Sequence, residues 1–326
     1  MAPSGRDPAG SSAETRAAGA PAPPRGVAEL RDDVLIDLLT LHLYGRPPAE
    51  PSLTALVEEL ARRGERRAMP LLLRACRIFA DETAGQAAPE LLAALGALGR
   101  IGVAEAGEPL AGLVSEGRFG PAGTAAAVAA LADLRHRGAA GLIPGLAAHP
   151  EAGVRKAACR LAAALGRPED LEAVLPLATD PDRTVARAAA LTLGRLGHRP
   201  AKGALEELLV RSTPSDLPLV VEALLPVADE DTAVVLGRVA ERSDEAGRLA
   251  IAEALGQLGQ LPAAVAVLGR LARDVKPSVR LAVAAALALH EPDERTGAVL
   301  GALARDQDAA VRAAAEEALK AYEAGW

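Results

Sequence analysis

One phrase is written twice near the end of the chain: residues 271–287 read LARDVKPSVRLAVAAAL, and residues 303–319 read LARDQDAAVRAAAEEAL. In each copy a helix end is followed by a turn that carries an aspartate, Asp274 or Asp306, and then by an alanine-rich helix. Alanine and leucine have high helix propensities. The copies lie 32 residues apart, a period typical of stacked helical hairpins.

The same frame extends backward through the chain. The alanine-rich second helix starts at Val311 in the last copy and at Val279 in the copy before it. Earlier copies follow at steps of 30 to 32 residues, with starts at Gly247, Leu217, Val185, Val154 and Gly123. We call this start position 0; six of the seven copies have leucine at position +8. An eighth, less regular copy is predicted to start near Ala87, because residues 95–99 repeat the Leu-Gly-x-Leu-Gly pattern of later copies.

The composition fits such a stack. Of 326 residues, 50% are hydrophobic but only 2% are aromatic, so small aliphatic side chains must fill the core. We therefore predict an all-α fold, a right-handed α-solenoid of about eight helical hairpins with extra N-terminal helices. Residues 1–26 are predicted to be a disordered tail, 27–84 an N-terminal helical cap and 85–326 the solenoid. Pro218 and Pro226 predict one copy that is shorter or bent.

Within a second helix, positions 0, +3, +4, +7 and +8 share one face and are expected to point inward. The pattern Asp-x-x-x-x-Val-Arg-x-x-Ala-x-x-Ala-Leu-x-x-Leu-Gly resembles HEAT-like repeats, in particular the short bacterial repeats related to those of phycobilisome lyases. The resemblance covers roughly residues 85–322. It implies the solenoid fold more than any one function, since families with this repeat include scaffolds, lyases, a hydroxylase and nucleic-acid-modifying proteins.

Equivalent positions of a solenoid form columns, and two columns are charged. Arginine stands at position +1 in Arg155, Arg248, Arg280 and Arg312, with Arg187 displaced by one, and aspartate stands at −5 in Asp180, Asp274 and Asp306. One interpretation is an Asp-Arg ladder within or between repeats, which the resemblance to HEAT repeats supports. The other leaves the arginines available to an acidic peptide. An exposed stripe is expected through +1, +5 and +9, so the predicted partner-binding residues also include Glu316 and Lys320.

A second basic cluster lies in the N-terminal part, at Arg62, Arg63, Arg66 and Arg67. These arginines fit a solvated turn whose cations are favoured by the helix dipole. The alternative is a secondary docking patch for an acidic partner.

Other function classes find little support in the sequence. The net charge of −7 and the five aromatic residues disfavour nucleic-acid binding. Only His290-Glu291 forms a His-Glu pair, and no phosphate loop or nucleophile elbow occurs, so we predict no catalytic, cofactor or metal site. Cys76 and Cys159 are expected to be buried apolar residues. With neither a secretory signal nor an apolar run long enough to span a membrane, the expected location is cytoplasmic.

The sequence thus favours a non-enzymatic scaffold or adaptor that binds a protein or peptide, possibly acidic, on the concave surface of the second helices. The alternative is an enzyme or enzyme subunit of the bilin-lyase or another modifying type. The oligomeric state and the identity of the partner stay open.

Overall fold

The computed structural model describes residues 26–45, 48–80, 86–259 and 261–324. The expected tail therefore lies outside the described residues except for Gly26, and so does the boundary placed at residue 85. The described chain is a succession of antiparallel helix pairs. In chain order its α-helices are α1 (Asp32–Tyr44), α2 (Leu53–Arg63), α3 (Met69–Ile78), α4 (Pro89–Ile101), α5 (Gly107–Ser115), α6 (Pro121–Asp133), α7 (Ile143–Ala147), α8 (Ala152–Leu165), α9 (Pro168–Val174), α10 (Arg183–Arg195), α11 (Lys202–Arg211), α12 (Leu217–Leu224), α13 (Glu230–Ala240), α14 (Glu245–Gln257), α15 (Pro262–Leu271), α16 (Pro277–Leu287), α17 (Glu294–Leu303) and α18 (Ala309–Ala324).

Local signals in the sequence set many of the helix ends. Asp182, Asp244 and Asp293 each accept a backbone N–H with the side chain and so cap α10, α14 and α17. Gly64 and Gly166 end α2 and α8 in the left-handed region, at φ values of 67° and 64° that favour glycine. These turns thus follow from residue type, although the capping aspartates are not Asp274 and Asp306 of the repeated phrase.

The even-numbered helices are the second helices of the pairs and build the continuous part of the stack. Most of them pack against their own first helix and against the next second helix, as α14 packs against α13 and α16. Val279, Val283 and Leu287, at positions 0, +4 and +8 of α16, are fully buried. The predicted all-α solenoid and its inward face are confirmed.

The register of the eighth copy differs from the prediction. Gly99 lies so close to α6 that a Cβ there would be 3.3 Å from the Cα of Ala130, and Gly256 meets Ala286 in the same way at 2.8 Å. Gly99 is therefore equivalent to Gly256, at +9, which places position 0 at Glu90 and not near Ala87. The following step is 33 residues, so only a short insertion precedes Gly123.

The N-terminal helices continue the same arrangement. Leu53, Val57 and Ala61 are buried on α2 at intervals of four residues, and α2 packs against α4 as later second helices pack against their successors. Counting this pair, the described residues form nine helical hairpins. One stacking rule thus covers the described chain from α1 to α18.

The middle of the stack is less regular. The helix α12, which begins at Leu217, has 8 residues where α14 has 13, and a 3-10 turn through Pro226 follows it, so the expected shorter copy is confirmed. Among the described residues the buried side chains form two clusters, which meet at α10 and α11. Cys76 and Cys159 are buried as expected, and burial raises the pKa of each thiol to about 12. No described helix combines the length and apolarity that crossing a membrane requires.

Candidate functional site

The arginine column forms a ladder between consecutive hairpins. Arg280 donates from Nε to Oδ2 of Asp306 at 2.7 Å and from Nη2 to Oδ1 at 2.8 Å. Its third nitrogen, Nη1, donates to the backbone oxygen of Asp274 at 2.7 Å. Arg280 is thus fixed by the turn of its own repeat and holds the aspartate of the next one, in the two-pronged geometry that suits a guanidinium and a carboxylate.

Two further rungs repeat this arrangement. Arg155 binds both carboxylate oxygens of Asp180, at 2.7 and 2.8 Å, and donates to the backbone oxygen of His149 at 3.0 Å. Arg248 binds both oxygens of Asp274, at 2.6 and 3.2 Å, and the backbone oxygen of Ser243 at 2.8 Å. We call these three pairs the regular rungs.

Each aspartate of a regular rung also organises the turn behind it. Oδ1 of Asp306 accepts the N–H of Asp308 at 2.8 Å, and Oδ1 of Asp274 accepts the N–H of Lys276 at 2.9 Å. The Arg280 guanidinium lowers the pKa of Asp306, so this carboxylate stays ionised well into acid. The same aspartate therefore links two repeats and shapes the turn that starts the next helix.

The regular rungs are more sheltered than surface ion pairs. The aspartate side chains are 4–10% exposed and the arginines 14–20%. Because both partners are largely covered and the contact is bidentate, we expect each regular rung to contribute more to stability than an exposed ion pair. The ladder interpretation is confirmed for these arginines, which leaves their charged edges occupied by protein.

The displaced arginine, Arg187, makes a weaker rung. Its Nη2 donates to Oδ1 of Asp216 at 2.5 Å, while its Nε is buried without a partner. Both side chains are more than a third exposed, at 39% and 35%. The cause is visible in the sequence, where Ala186 occupies position +1 and the arginine has moved to +2.

The last predicted residues lie on α18. Arg312 donates from Nη1 to the backbone oxygens of Asp306 and Gln307 at 2.8 and 2.9 Å, as the regular arginines do. Within residues 26–324, as far as the structure describes them, no carboxylate meets its Nε or Nη2. Glu316 and Lys320 are exposed on the same helix. Their role in binding stays a prediction.

The expected exposed stripe is wrong at position +5. The +5 side chains of four second helices are at most 2% exposed, namely Cys159, Ala190, Ala252 and Ala284. The reason is that the next second helix packs on this side of each one. Glu316 is exposed at +5 because no described helix follows α18. On α8 the exposed side chains are those of Lys156 at +2, Arg160 at +6 and Ala163 at the predicted +9.

A groove runs over the face of three consecutive second helices, α6, α8 and α10. It has a volume of about 370 Å³ and a mostly small-residue lining. The lining residues are Ala125, Ala129, Gly153, Lys156, Ala157, Cys159, Arg160, Ala163, Ala188 and Thr192. We call this feature the α8 groove. The predicted stripe contributes Cys159 and Ala163 to this lining, whereas the other lining residues lie at helix positions that the stripe did not include.

Two cations flank the α8 groove. Arg160 contacts Asp133 at 2.5 Å, with both side chains more than 40% exposed. Lys156 is exposed, and no carboxylate of the described chain pairs with it. The groove therefore combines an apolar floor with one available positive charge.

The N-terminal basic cluster is largely occupied by ion pairs. Glu59 accepts from Arg62 at 2.6 Å and from Arg63 at 2.5 Å, and these contacts lower its pKa to about 2. Arg63 also reaches Asp32 at 2.7 Å, while Arg67 pairs with Glu65 at 2.8 Å. Of the four predicted arginines only Arg66 has no carboxylate partner among the described residues. These ion pairs favour the structural turn, and the secondary docking patch stays a prediction.

Comparisons with known proteins agree on the kind of repeat. A family profile described as HEAT repeats matches residues 139–225 and 232–320, more than half of the chain. Comparison with curated proteins gives no match.

Solved structures of similar fold are distant. An engineered protein is 17% identical, with 90% of this chain and 88% of that chain covered and a TM-score of 0.47. The complex of CpcE and CpcF of phycocyanin lyase, from a Nostoc species, is 19% identical, with 79% and 97% covered and a TM-score of 0.47. Human deoxyhypusine hydroxylase is 23% identical, with 91% and 98% covered and a TM-score of 0.35. Likenesses this distant carry no argument about activity.

Proposed function

The chain belongs to the HEAT-repeat family, and from that premise we propose that it is a non-enzymatic scaffold or adaptor that binds a helix or extended segment of a protein partner. The binding surface is the α8 groove. The partner segment presents small or apolar side chains to the floor of the groove and at least one carboxylate to its edge.

The observation that carries this proposal is the pairing of an alanine-lined floor with an uncompensated cation. Alanines on α6, α8 and α10 leave room for the backbone or helix of a partner to approach closely. An exposed lysine without a carboxylate, Lys156, favours an acidic group in that partner and raises its association rate. The regular rungs supply no such charge, because their arginines are bound to aspartates.

The proposal is tested by filling the groove. Ala129→Trp places an indole on the floor, in α6, and we expect capture of partners from native lysate to fall at least tenfold. The matched control is Ala266→Trp, on an exposed position of the first helix α15. Capture that survives Ala129→Trp, or that is lost equally with Ala266→Trp, would contradict the groove as the binding surface.

Charge reversal tests the acidic character of the partner. For a partner captured by the wild-type protein, Lys156→Glu is expected to weaken binding about 3- to 10-fold, and most at low salt, because an exposed charge pair is screened by ions. Arg238→Glu, on the exposed side of α13, is the control of equal charge change. Isothermal titration calorimetry at two salt concentrations gives both numbers; equal weakening by the two variants would leave only a general charge effect.

A further inference from the structure

We propose that Arg312 is a preformed receptor for an aspartate carboxylate of a partner polypeptide, at a place separate from the α8 groove. The receiving atoms are Nε and Nη2. The inference rests on the repeat itself, because the chain shows the same arginine with its ligand bound in three other copies.

The three regular rungs describe the bound state. In each, Nε and Nη2 of the arginine hold the two oxygens of one aspartate, at distances from 2.6 to 3.2 Å. The same aspartate accepts the N–H of the residue two positions later, at 2.8 or 2.9 Å. The ligand in this chemistry is therefore an aspartate in a turn that opens a helix, and not merely a negative charge.

Arg312 is held in the same way as the regular arginines. Its Nη1 donates to the backbone oxygen of Asp306 at 2.8 Å, just as Nη1 of Arg280 donates to that of Asp274 at 2.7 Å. A guanidinium anchored by one nitrogen keeps its other edge oriented, so less side-chain freedom is lost when a carboxylate arrives. The binding edge is thus in place before the ligand.

The charges around Arg312 limit what can bind. The carboxylate of Asp306 is already held by Arg280, and Oδ1 of Asp308 accepts the N–H groups of Ala310 and Val311. Glu316 lies one turn further along α18 and is exposed, where the preceding repeat has the buried Ala284. An apolar second helix would therefore leave Glu316 covered and unpaired. The occupant that fits is a polar segment with an aspartate for Arg312 and a basic side chain for Glu316.

The probe is a capped hexapeptide with the sequence of residues 304–309, which contains the aspartate of the last regular rung. It is titrated into the full chain with labelled arginine side chains, and the Nε–H resonances are followed by NMR. We expect a saturable shift of the Arg312 resonance and no comparable shift of Arg280, whose edge is occupied. The same peptide with asparagine in place of its first aspartate is expected to bind at least tenfold more weakly.

Two protein variants complete the test. Arg312→Lys keeps the charge but removes the two-pronged edge, and we expect at least a tenfold loss of peptide affinity. Arg305→Lys changes an exposed arginine of the preceding turn and is expected to leave affinity within twofold. Ala129→Trp is also expected to leave it unchanged, so the receptor and the α8 groove succeed or fail independently. Equal binding of the aspartate and asparagine peptides, equal losses in the two lysine variants, or no saturable shift would overturn the proposal.

Discussion

Two rungs of the ladder, Arg280–Asp306 and Arg187–Asp216, show what one residue of displacement does. Arg280 stands at +1 and uses three nitrogens, while Arg187 stands at +2, binds its aspartate through one nitrogen and leaves Nε buried without a partner. The regular pair is at most 14% exposed, whereas each member of the displaced pair exceeds a third. The position of the arginine therefore decides whether an Asp-Arg pair links two repeats firmly or lies loosely at the surface.

The largest loss of stability is expected from a substitution at position +5 of a regular second helix. In the regular region Ala284 is fully buried between α16 and α18. Ala284→Glu places an unpaired carboxylate there, and we expect a loss of about 3–5 kcal/mol in the free energy of unfolding. The neighbouring Ala285→Glu points to solvent and should change it by less than about 0.5 kcal/mol. Urea unfolding measures both; equal losses would contradict the packing of second helix on second helix.

The next largest loss of stability is expected when the arginine of a rung is removed. Arg280→Ala removes a sheltered bidentate contact and leaves Asp306 without its cation, so we expect a loss of about 2 kcal/mol in the free energy of unfolding. Arg187→Ala removes an exposed single contact, for which about 0.5 kcal/mol is expected. Urea unfolding compares the two variants. If the displaced rung costs as much as the regular one, position +1 has no special role.

Part of the stability that the regular rungs contribute should be lost in acid. The guanidinium of Arg280 lowers the pKa of Asp306, and that of Arg155 lowers the pKa of Asp180. Because the folded pKa lies below the unfolded value of about 3.9, this stability is complete above that value and is lost as the pH falls through the folded pKa. Stability of the wild-type protein should therefore fall below about pH 4, and Arg280→Ala should fall less steeply. Parallel pH profiles would contradict this origin.

The smallest effect is expected from the irregular copy. Glu222 occupies +5 of α12, where four other second helices have a buried alanine or cysteine, and its side chain is 66% exposed with Arg195 at 3.7 Å. Glu222→Ala should therefore change the free energy of unfolding by less than about 0.5 kcal/mol. Thermal unfolding checks this prediction. A large loss of stability would mean that α12 packs like the regular second helices.

Much of the fold could be predicted from the 30- to 32-residue period, because that length accommodates two helices and two turns that bury one face. The ladder also followed, since Asp and Arg recur at fixed positions. The eighth copy was misaligned because residues 95–99 repeat themselves every three residues, so that Gly96 and Gly99 fit the pattern equally well. Only the close approach of Gly99 to Ala130 shows which of the two glycines occupies position +9.

The candidate site was harder to predict. Treating a second helix as having one buried face ignores that it has a second helix on each side, which is why +5 was assigned to solvent. A signal for the α8 groove was nevertheless present, since Ala125 and Ala129 occupy +2 and +6 of one copy and Lys156 and Arg160 occupy them in the next. Which of these cations is paired depends on Asp133, a residue from another repeat, and required coordinates.

The most direct test measures partner affinity and unfolding free energy together in two variants, Arg280→Ala and Ala129→Trp. If the ladder holds the stack and the α8 groove binds the partner, Arg280→Ala lowers stability by about 2 kcal/mol and leaves affinity within twofold at a temperature where the protein is folded. Ala129→Trp then lowers affinity at least tenfold with little change in stability. The reverse pattern, with affinity lost in Arg280→Ala and kept in Ala129→Trp, would contradict this division of roles.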